Sequence, residues 1–416
     1  MAFAYRGGVL CAEQVSLEDI ARRFGTPCYV YSHAVLEGNY GEFARALAAR
    51  PALIAYSVKA NGNLALLALL VRLGAGFDIV SGGELARVLK AGGDARKVVF
   101  SGIGKSEAEI AQALQARILC LNLESEAELE RVAAVAARLG VEAPVAFRVN
   151  PDVDAKTHPH ISTGLKQNKF GIAYADAERL YRDAAKRPGI AVIGIGCHIG
   201  SMMADPAPYA AAAARIAALA ERLARAGIAL EHIDLGGGIG IRAGDKTPAP
   251  IAEFMRGALA ALGDRKEKLI VDPGRSIVGE AGLLLTRIEY LKPGEAKNFV
   301  IVDAAMNDLI RPALYDAWHE VRPVRERAES GVPARVYDVV GPVCESADFL
   351  ARERTLAVRA GDLLAILSAG AYGMVMGSNY NARPRPAEVL ASGGEAQLAR
   401  ERETIEQLFA AERVLH

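Results

Sequence analysis

The chain has 416 residues, 51% of them hydrophobic and 24% charged, an ordinary globular composition that excludes disordered, collagen-like and coiled-coil classes. Lys plus Arg (49) equals Asp plus Glu (49), so attachment to nucleic acid or an anionic membrane by bulk charge is excluded. The five cysteines, at 11, 28, 120, 197 and 344, form no CxxC pair. That argues against a disulfide framework or a structural zinc site, and for a cytoplasmic protein; no metal site is expected. No signal-peptide pattern or membrane-length apolar run is expected.

In chain order, Ser16 caps a short helix that Thr26-Pro27 ends before an apolar strand at Cys28–Tyr31. A single rhythm then runs to about residue 275. Strands are predicted at Leu53–Tyr56, Gly76–Val80, Val98–Ser101, Ile118–Asn122, Val145–Val149, Val192–Cys197, His232–Leu235 and Leu269–Val271. Helices are predicted at roughly 34–49, 64–73, 82–91, 106–115, 125–139, 174–186, 206–226 and 249–262. Ser106 with Glu109, and Ser125 with Glu128, read as capping boxes. Eight strands joined by helices must be parallel, and their closed arrangement is an α/β fold, the (β/α)8 TIM barrel. Residues 151–172 read as a long insertion without helical period, of a length that is usually functional or mobile.

Beyond that point Ile277–Tyr290, Asn298–Val302, Ala334–Val340 and Leu363–Leu367 read as strands between Pro/Gly turns, without helical crossovers. They predict a second, mostly antiparallel β-barrel or sandwich domain, with an amphipathic closing helix at 401–413. The division expected is a barrel over 31–275 and a β domain built from 1–30 and 276–416.

Catalytic groups of a (β/α)8 barrel sit at the C-terminal ends of its strands. That rule selects Lys59, Asp78, Arg148, His198, Ser201, Gly236–Gly238 and the Asp272–Arg275 stretch. A lysine at the end of a buried strand is suited to carbonyl chemistry, though an ordinary rim lysine has the same placement. His198 is either structural or a flat ring against a planar cofactor. The glycine run after strand seven is either a plain turn or a phosphate cradle. Asp272 is either an ion-pair partner of Arg275 or the acid that keeps a ring nitrogen protonated. Pyridoxal 5'-phosphate accounts for all four together.

In the second domain, Arg311 and Tyr315 share a face if helical, as a surface ion pair or a carboxylate clamp. Cys344-Glu345 follows a turn; the thiol is either a small core side chain or a proton donor. Tyr372 lies in the flexible stretch AGAYG. Two apparent nucleotide motifs fail. Gly104-Lys105-Ser106 lacks the first P-loop glycine, since Val99 stands there, and Gly238–Ala243 opens no Rossmann unit.

These segments together resemble the bacterial meso-diaminopimelate decarboxylases, within the alanine-racemase-like class of pyridoxal phosphate enzymes. The likeness is carried by YSVKAN at 56–61, VSGGEL at 80–85, RVNPDVDAKTHPHISTGLKQNKFGI at 148–172, GCHIGS at 196–201, GGGIGI at 236–241 and DPGRSIV at 272–278. In the second domain it continues through DAAMNDLIRPALYDAWH at 303–319, GPVCESADFL at 341–350 and AGAYGMVMGSNYNARPRPAEVL at 369–390.

The resemblance implies decarboxylation of meso-2,6-diaminopimelate to L-lysine and CO2, the last step of lysine biosynthesis. It implies that Lys59 is the Schiff-base lysine and that His198 stacks on the cofactor ring. Ser201, Gly236, Gly237, Gly238, Gly274 and Arg275 then hold the phosphate, and Asp272 faces the pyridine nitrogen. Arg275, Arg311 and Tyr315 clamp the distal carboxylate, and Tyr372 touches cofactor and substrate. Cys344, the proton donor, and Glu345 come across the interface of a homodimer whose active sites are shared. The family usually has Glu where this chain has Asp272. Met202 stands where Gln is expected, and Met374–Gly377 replaces a Ser-rich stretch.

Overall fold

The computed structural model describes residues 3–154, 169–326 and 332–415. Most of the expected 151–172 loop, residues 155–168, lies outside the described residues. The chain divides into two compact units: residues 39–242 with 246–276, and residues 1–38 with 243–245 and 277–416.

The first unit is a closed barrel of eight parallel strands. They are β1 (Ala52–Ser57), β2 (Gly76–Ile79), β3 (Val98–Phe100), β4 (Cys120–Leu123), β5 (Ala143–Asn150), β6 (Ile190–Gly196), β7 (His232–Asp234) and β8 (Lys268–Val271). Each pairs with its successor, and β8 returns to β1 with Ile270 opposite Leu53. Leu53, Ala55, Val99, Cys120, Ala146 and Ile270 fill the barrel with alternating large and small side chains. The outer helices bury one face at helical spacing. In the helix Ala207–Arg225 that face includes Ala212, Ile216, Leu219 and Leu223, and each full burial of such a Leu or Ile is worth roughly 1.5–3 kcal/mol.

The predicted strands and helices fall within one to three residues of those observed. One local expectation is corrected. Ser106 and Glu109 form a complete capping box. At Ser125 only half of the box forms: Ser125 Oγ accepts the Glu128 amide at 3.2 Å. The Glu128 carboxylate turns away, accepting the Glu124 amide at 2.7 Å and the Lys105 ammonium at 2.8 Å. A buried ammonium has the stronger claim on a carboxylate than an accessible helix amide does.

The second unit is a largely antiparallel sheet built around the 11-residue strand Gly282–Lys292. Its first half pairs with Cys28–Ser32 and Leu363–Ile366, and its second half with Phe299–Val302. Cys28–Ser32 lies between Gly282–Lys292 and Ala387–Ser392, so the N-terminal segment is integral to this sheet. The core gathers Leu10, Leu17, Ile20, Val30, Leu283, Leu285 and Val389.

Three further expectations change. The apolar run from Ile277 is first a short helix, Arg275–Val278, and the strand begins at Gly282; a short run buried on all sides carries no period to tell helix from strand. Strands at Val321–Pro323, Phe349–Leu356, Ala387–Ser392 and Glu395–Arg400 were not predicted, because charged residues interrupt their apolar alternation. The closing helix covers only Ile405–Phe409. Glu403, just before it, is pinned by Arg385 at 2.7 Å and by Asn379 at 2.8 Å, which holds the approach extended. No helix among the described residues is long and apolar enough to cross a membrane.

Candidate active site

The chemistry in the barrel unit collects where the strands end. Lys59 follows β1 on a single tight turn, Val58–Ala60. Its Nζ donates to Asp78 Oδ2 at 2.9 Å. Asp78 lies near the end of β2, fully buried, and the same oxygen accepts Ser57 Oγ at 3.1 Å. A buried carboxylate thus fixes where the lysine amine sits.

His198 follows β6. Burial first, then the neighbouring Arg148 and Lys59 cations, push its pKa down to about 3, so the ring is neutral at physiological pH. Its Nδ1 accepts the Gly237 amide at 3.4 Å and lies 3.7 Å from Asp272 Oδ1. Asp272 directly follows β8 and is 6% exposed. Its backbone carbonyl accepts Ser57 Oγ at 2.8 Å, while its Oδ1 is buried with no hydrogen-bond partner. Burial, then the charge of Asp78, raise the Asp272 carboxyl to about 8.

The glycine run after β7 leaves no room for side chains. A Cβ on Gly236 would lie 2.6 Å from the Cys197 carbonyl, on Gly237 2.4 Å from the Asp272 carbonyl, and on Gly238 2.1 Å from the Gly200 carbonyl. Gly236 and Gly238 also have φ of +72° and +92°, which side-chain-bearing residues rarely adopt. The Met203 amide donates to the Gly238 carbonyl at 3.0 Å, and the Gly240 amide to the Met203 carbonyl at 2.9 Å. These bonds lay the loop carrying Ser201 along the glycine run. Gly274 packs on the Lys59 turn, where a Cβ would meet Ala60 Cβ at 2.9 Å. Arg275 beside it is 8% exposed. The predicted barrel residues Lys59, Asp78, His198, Ser201, Gly236, Gly237, Gly238, Asp272, Gly274 and Arg275 therefore all lie at one end of the strands.

In the second unit the fold gathers Arg311, Tyr315 and Tyr372. Arg311 opens the helix Arg311–Tyr315. Its Cζ lies 5.5 Å from the Tyr315 ring centre and 5.9 Å from that of Tyr372, within cation–π range of both. Tyr372 has φ +55°, a strained conformation that the surrounding structure must maintain. Cys344 and Glu345 occupy a different, exposed loop. The Cys344 amide donates to Asn381 Oδ1 at 2.7 Å, and Asp348 accepts the amides of Met306 and Val343 at 2.7 and 2.8 Å.

Residues 34–279 match the model of the pyridoxal-dependent decarboxylases' pyridoxal binding domain. The chain is 57% identical to the diaminopimelate decarboxylase of Pseudomonas fluorescens over 415 residues, 100% of this chain and 99% of that protein. The chain belongs to the diaminopimelate decarboxylase family. Two solved structures agree. Diaminopimelate decarboxylase from Helicobacter pylori, complexed with L-lysine, superimposes with a TM-score of 0.92 at 41% identity, covering 95% of this chain and 99% of that one. The M. jannaschii enzyme, in co-complex with L-lysine, gives 0.94 at 36% identity, covering 100% of this chain and 98% of that one.

Sequence reasoning missed two contributors to the barrel end of this family member. Asp234 ends β7, 3% exposed, accepting the Gly236 amide at 2.9 Å and Asn122 Nδ2 at 3.4 Å. Burial and the nearby Asp272 raise its carboxyl well above the usual range. Its signal was the strand-end rule that selected Asp78 and Asp272. Glu124 accepts Arg148 Nη1 at 3.2 Å and the Gly171 amide at 2.6 Å; it directly follows β4, so the same strand-end rule was its signal. Arg148 Nη2 in turn donates to the His198 carbonyl at 3.4 Å.

Proposed function

We propose that this chain binds pyridoxal 5'-phosphate at the barrel strand ends and decarboxylates meso-diaminopimelate, releasing CO2 and L-lysine. One observation carries this reading. A lysine amine, a neutral histidine ring, a bare glycine cradle and a buried acid with an unpartnered oxygen converge at one end of the barrel. Each matches a different part of that cofactor.

The residues fit the group. Backbone amides of Gly236–Gly238, exposed by the absence of side chains, suit a phosphate, with Ser201, Gly274 and Arg275 beside them. Asp272 Oδ1 suits a protonated ring nitrogen: a cation there would satisfy an oxygen that now has no partner. The neutral His198 ring suits a face of the pyridine. Bound there, the cofactor supplies an electron sink for the pair left behind as the carboxylate departs.

The chain's own groups do the rest. Asp78 holds the Lys59 amine in place by accepting its hydrogen bond. Asp272 carries the negative charge that keeps the ring nitrogen protonated. Arg275, Arg311 and Tyr315 bind the substrate's distal carboxylate, which selects for a substrate bearing two carboxylates. Tyr372 contacts cofactor and substrate. Cys344 Sγ returns a proton to the α-carbon, with Glu345 beside it, both contributed to the neighbouring site of a homodimer in the cytoplasm.

The test is direct. Purified protein supplied with the cofactor and meso-diaminopimelate should release CO2 and L-lysine in equal amounts. Lys59→Ala should abolish both that release and the visible absorbance of lysine-bound cofactor. A Lys59→Ala variant that keeps both would overturn the assignment.

A further inference from the structure

The turn that launches Arg311 and the loop that carries Tyr372 are far apart in sequence, yet Arg311 lies 5.5 Å from a ring of its own helix and 5.9 Å from a ring of that loop. The Arg311–Tyr372 spacing therefore depends on whatever ties the two segments together. Two polar side chains do so, Asn307 buried and Arg383 half-buried. Asn307, 2% exposed, donates from Nδ2 to Asp308 Oδ1 at 3.0 Å and to the Ser378 carbonyl at 3.4 Å. Its own carbonyl accepts the Ser378 amide at 2.9 Å. Arg383 donates from Nε to Asn307 Oδ1 at 3.1 Å and from Nη2 to the Asp303 carbonyl.

The Asp308 carboxylate closes the turn beneath by accepting the Ala305 amide at 2.9 Å. Its backbone carbonyl accepts Tyr29 Oη at 2.6 Å. Tyr29 is also the side chain that a Cβ on Gly373 would strike, at 2.7 Å from Oη. Both ends of the brace are thus anchored. Residues 303–310 lead into Arg311, and residues 373–383 continue from Tyr372.

We propose that Asn307 and Arg383 are specificity-determining positioning residues. They lock the Arg311 turn to the Tyr372 loop, so that the guanidinium is held against two tyrosine rings and presented to the substrate's distal carboxylate. This rests on the reading of Arg311 as a carboxylate-binding residue. A planar guanidinium held against two rings has fewer orientations left, so less entropy is lost when it engages a carboxylate with both nitrogens. Without the brace, the Tyr372 loop is free to drift and the guanidinium must be ordered by the substrate itself. Neither brace residue touches substrate in this account. Their effect is on the binding of two-carboxylate substrates, not on the chemical step.

The experiment uses full-length protein with its cofactor and compares wild type, Asn307→Ala, Arg383→Lys, Arg311→Ala and a control, Arg325→Ala, which removes a surface pair with Glu18. Arg383→Lys keeps the charge but cannot reach both acceptors. It carries the test should Asn307→Ala fail to fold. Measured are kcat and KM for meso-diaminopimelate, the preference for it over D-lysine, which lacks the distal carboxylate, and thermal melting.

Asn307→Ala and Arg383→Lys should each raise KM for meso-diaminopimelate on the order of tenfold, the effect of roughly 1.4 kcal/mol of binding. They should leave kcat within about twofold and compress the preference over D-lysine. Arg325→Ala should change none of these. A purely structural role would lower the melting temperature with KM and preference unchanged, and that result overturns the inference while Arg311→Ala still raises KM. If Arg311→Ala itself leaves KM and preference unchanged, the carboxylate-binding reading has failed, and the inference falls with it.

Discussion

Asp272 is the group whose environment and proposed task are most opposed, and Asp272→Asn exposes the conflict. In the absence of cofactor its carboxyl sits at about 8, driven by burial and by Asp78, against about 3.9 for an unfolded Asp. A folded pKa above the unfolded value means that the native state binds more protons between those limits. Stability is then greatest below about pH 4 and is lost as pH rises through about 8. The gap of about four units corresponds to an order of 5 kcal/mol at about 1.4 kcal/mol per unit. Roughly 4 kcal/mol of it falls between pH 5 and pH 8. Asp272→Asn carries no charge and removes this slope. Urea denaturation of cofactor-free protein from pH 5 to pH 9 should show wild type losing several kcal/mol relative to the variant. With cofactor bound, a ring cation opposite Oδ1 should erase most of the wild-type loss, and the variant should lose activity on the order of 10²-fold. Parallel pH–stability curves for cofactor-free wild type and variant would refute the reasoning.

Other substitutions probe the scaffold. Lys105→Met leaves Glu128 buried without its cation, and the Gly102 and Asn122 carbonyls without a donor. It should cost about 3–5 kcal/mol in denaturant unfolding, and adding Glu128→Leu should recover only the part due to the unpaired carboxylate, since the two carbonyls stay without a donor. Gly238→Ala drives a methyl to within 2.1 Å of the Gly200 carbonyl; a titration followed by cofactor absorbance should show weakened cofactor binding in a protein that still folds. Ser106→Ala removes a complete capping box and should lower stability by about 1 kcal/mol, measured as a shift in the urea midpoint. Ser125→Ala, where only half a box exists, should cost less.

The sequence by itself determined the barrel. Its strands are short apolar runs flanked by helices whose buried faces recur every three or four residues, and that local pattern needs no tertiary knowledge to be read. The strand-end rule then placed Lys59, Asp78, His198, the glycine run and Asp272 on one rim. The second unit was less legible. Strands such as Phe349–Leu356 and Glu395–Arg400 alternate imperfectly, and their identity rests on cross-strand pairing with distant segments.

Tertiary structure alone decided the states and partnerships of the polar groups. Glu128 left its helix cap for Lys105 because the ammonium of Lys105 is buried there. Asp272 rose to about 8, and His198 fell to about 3, because burial removes the water that stabilises charge. Asn307 and Arg383 became a brace because two loops some 70 residues apart fold onto one another. Hydrophobic periodicity is a property of neighbours along the chain, whereas desolvation and hydrogen-bond partnership are properties of neighbours in space.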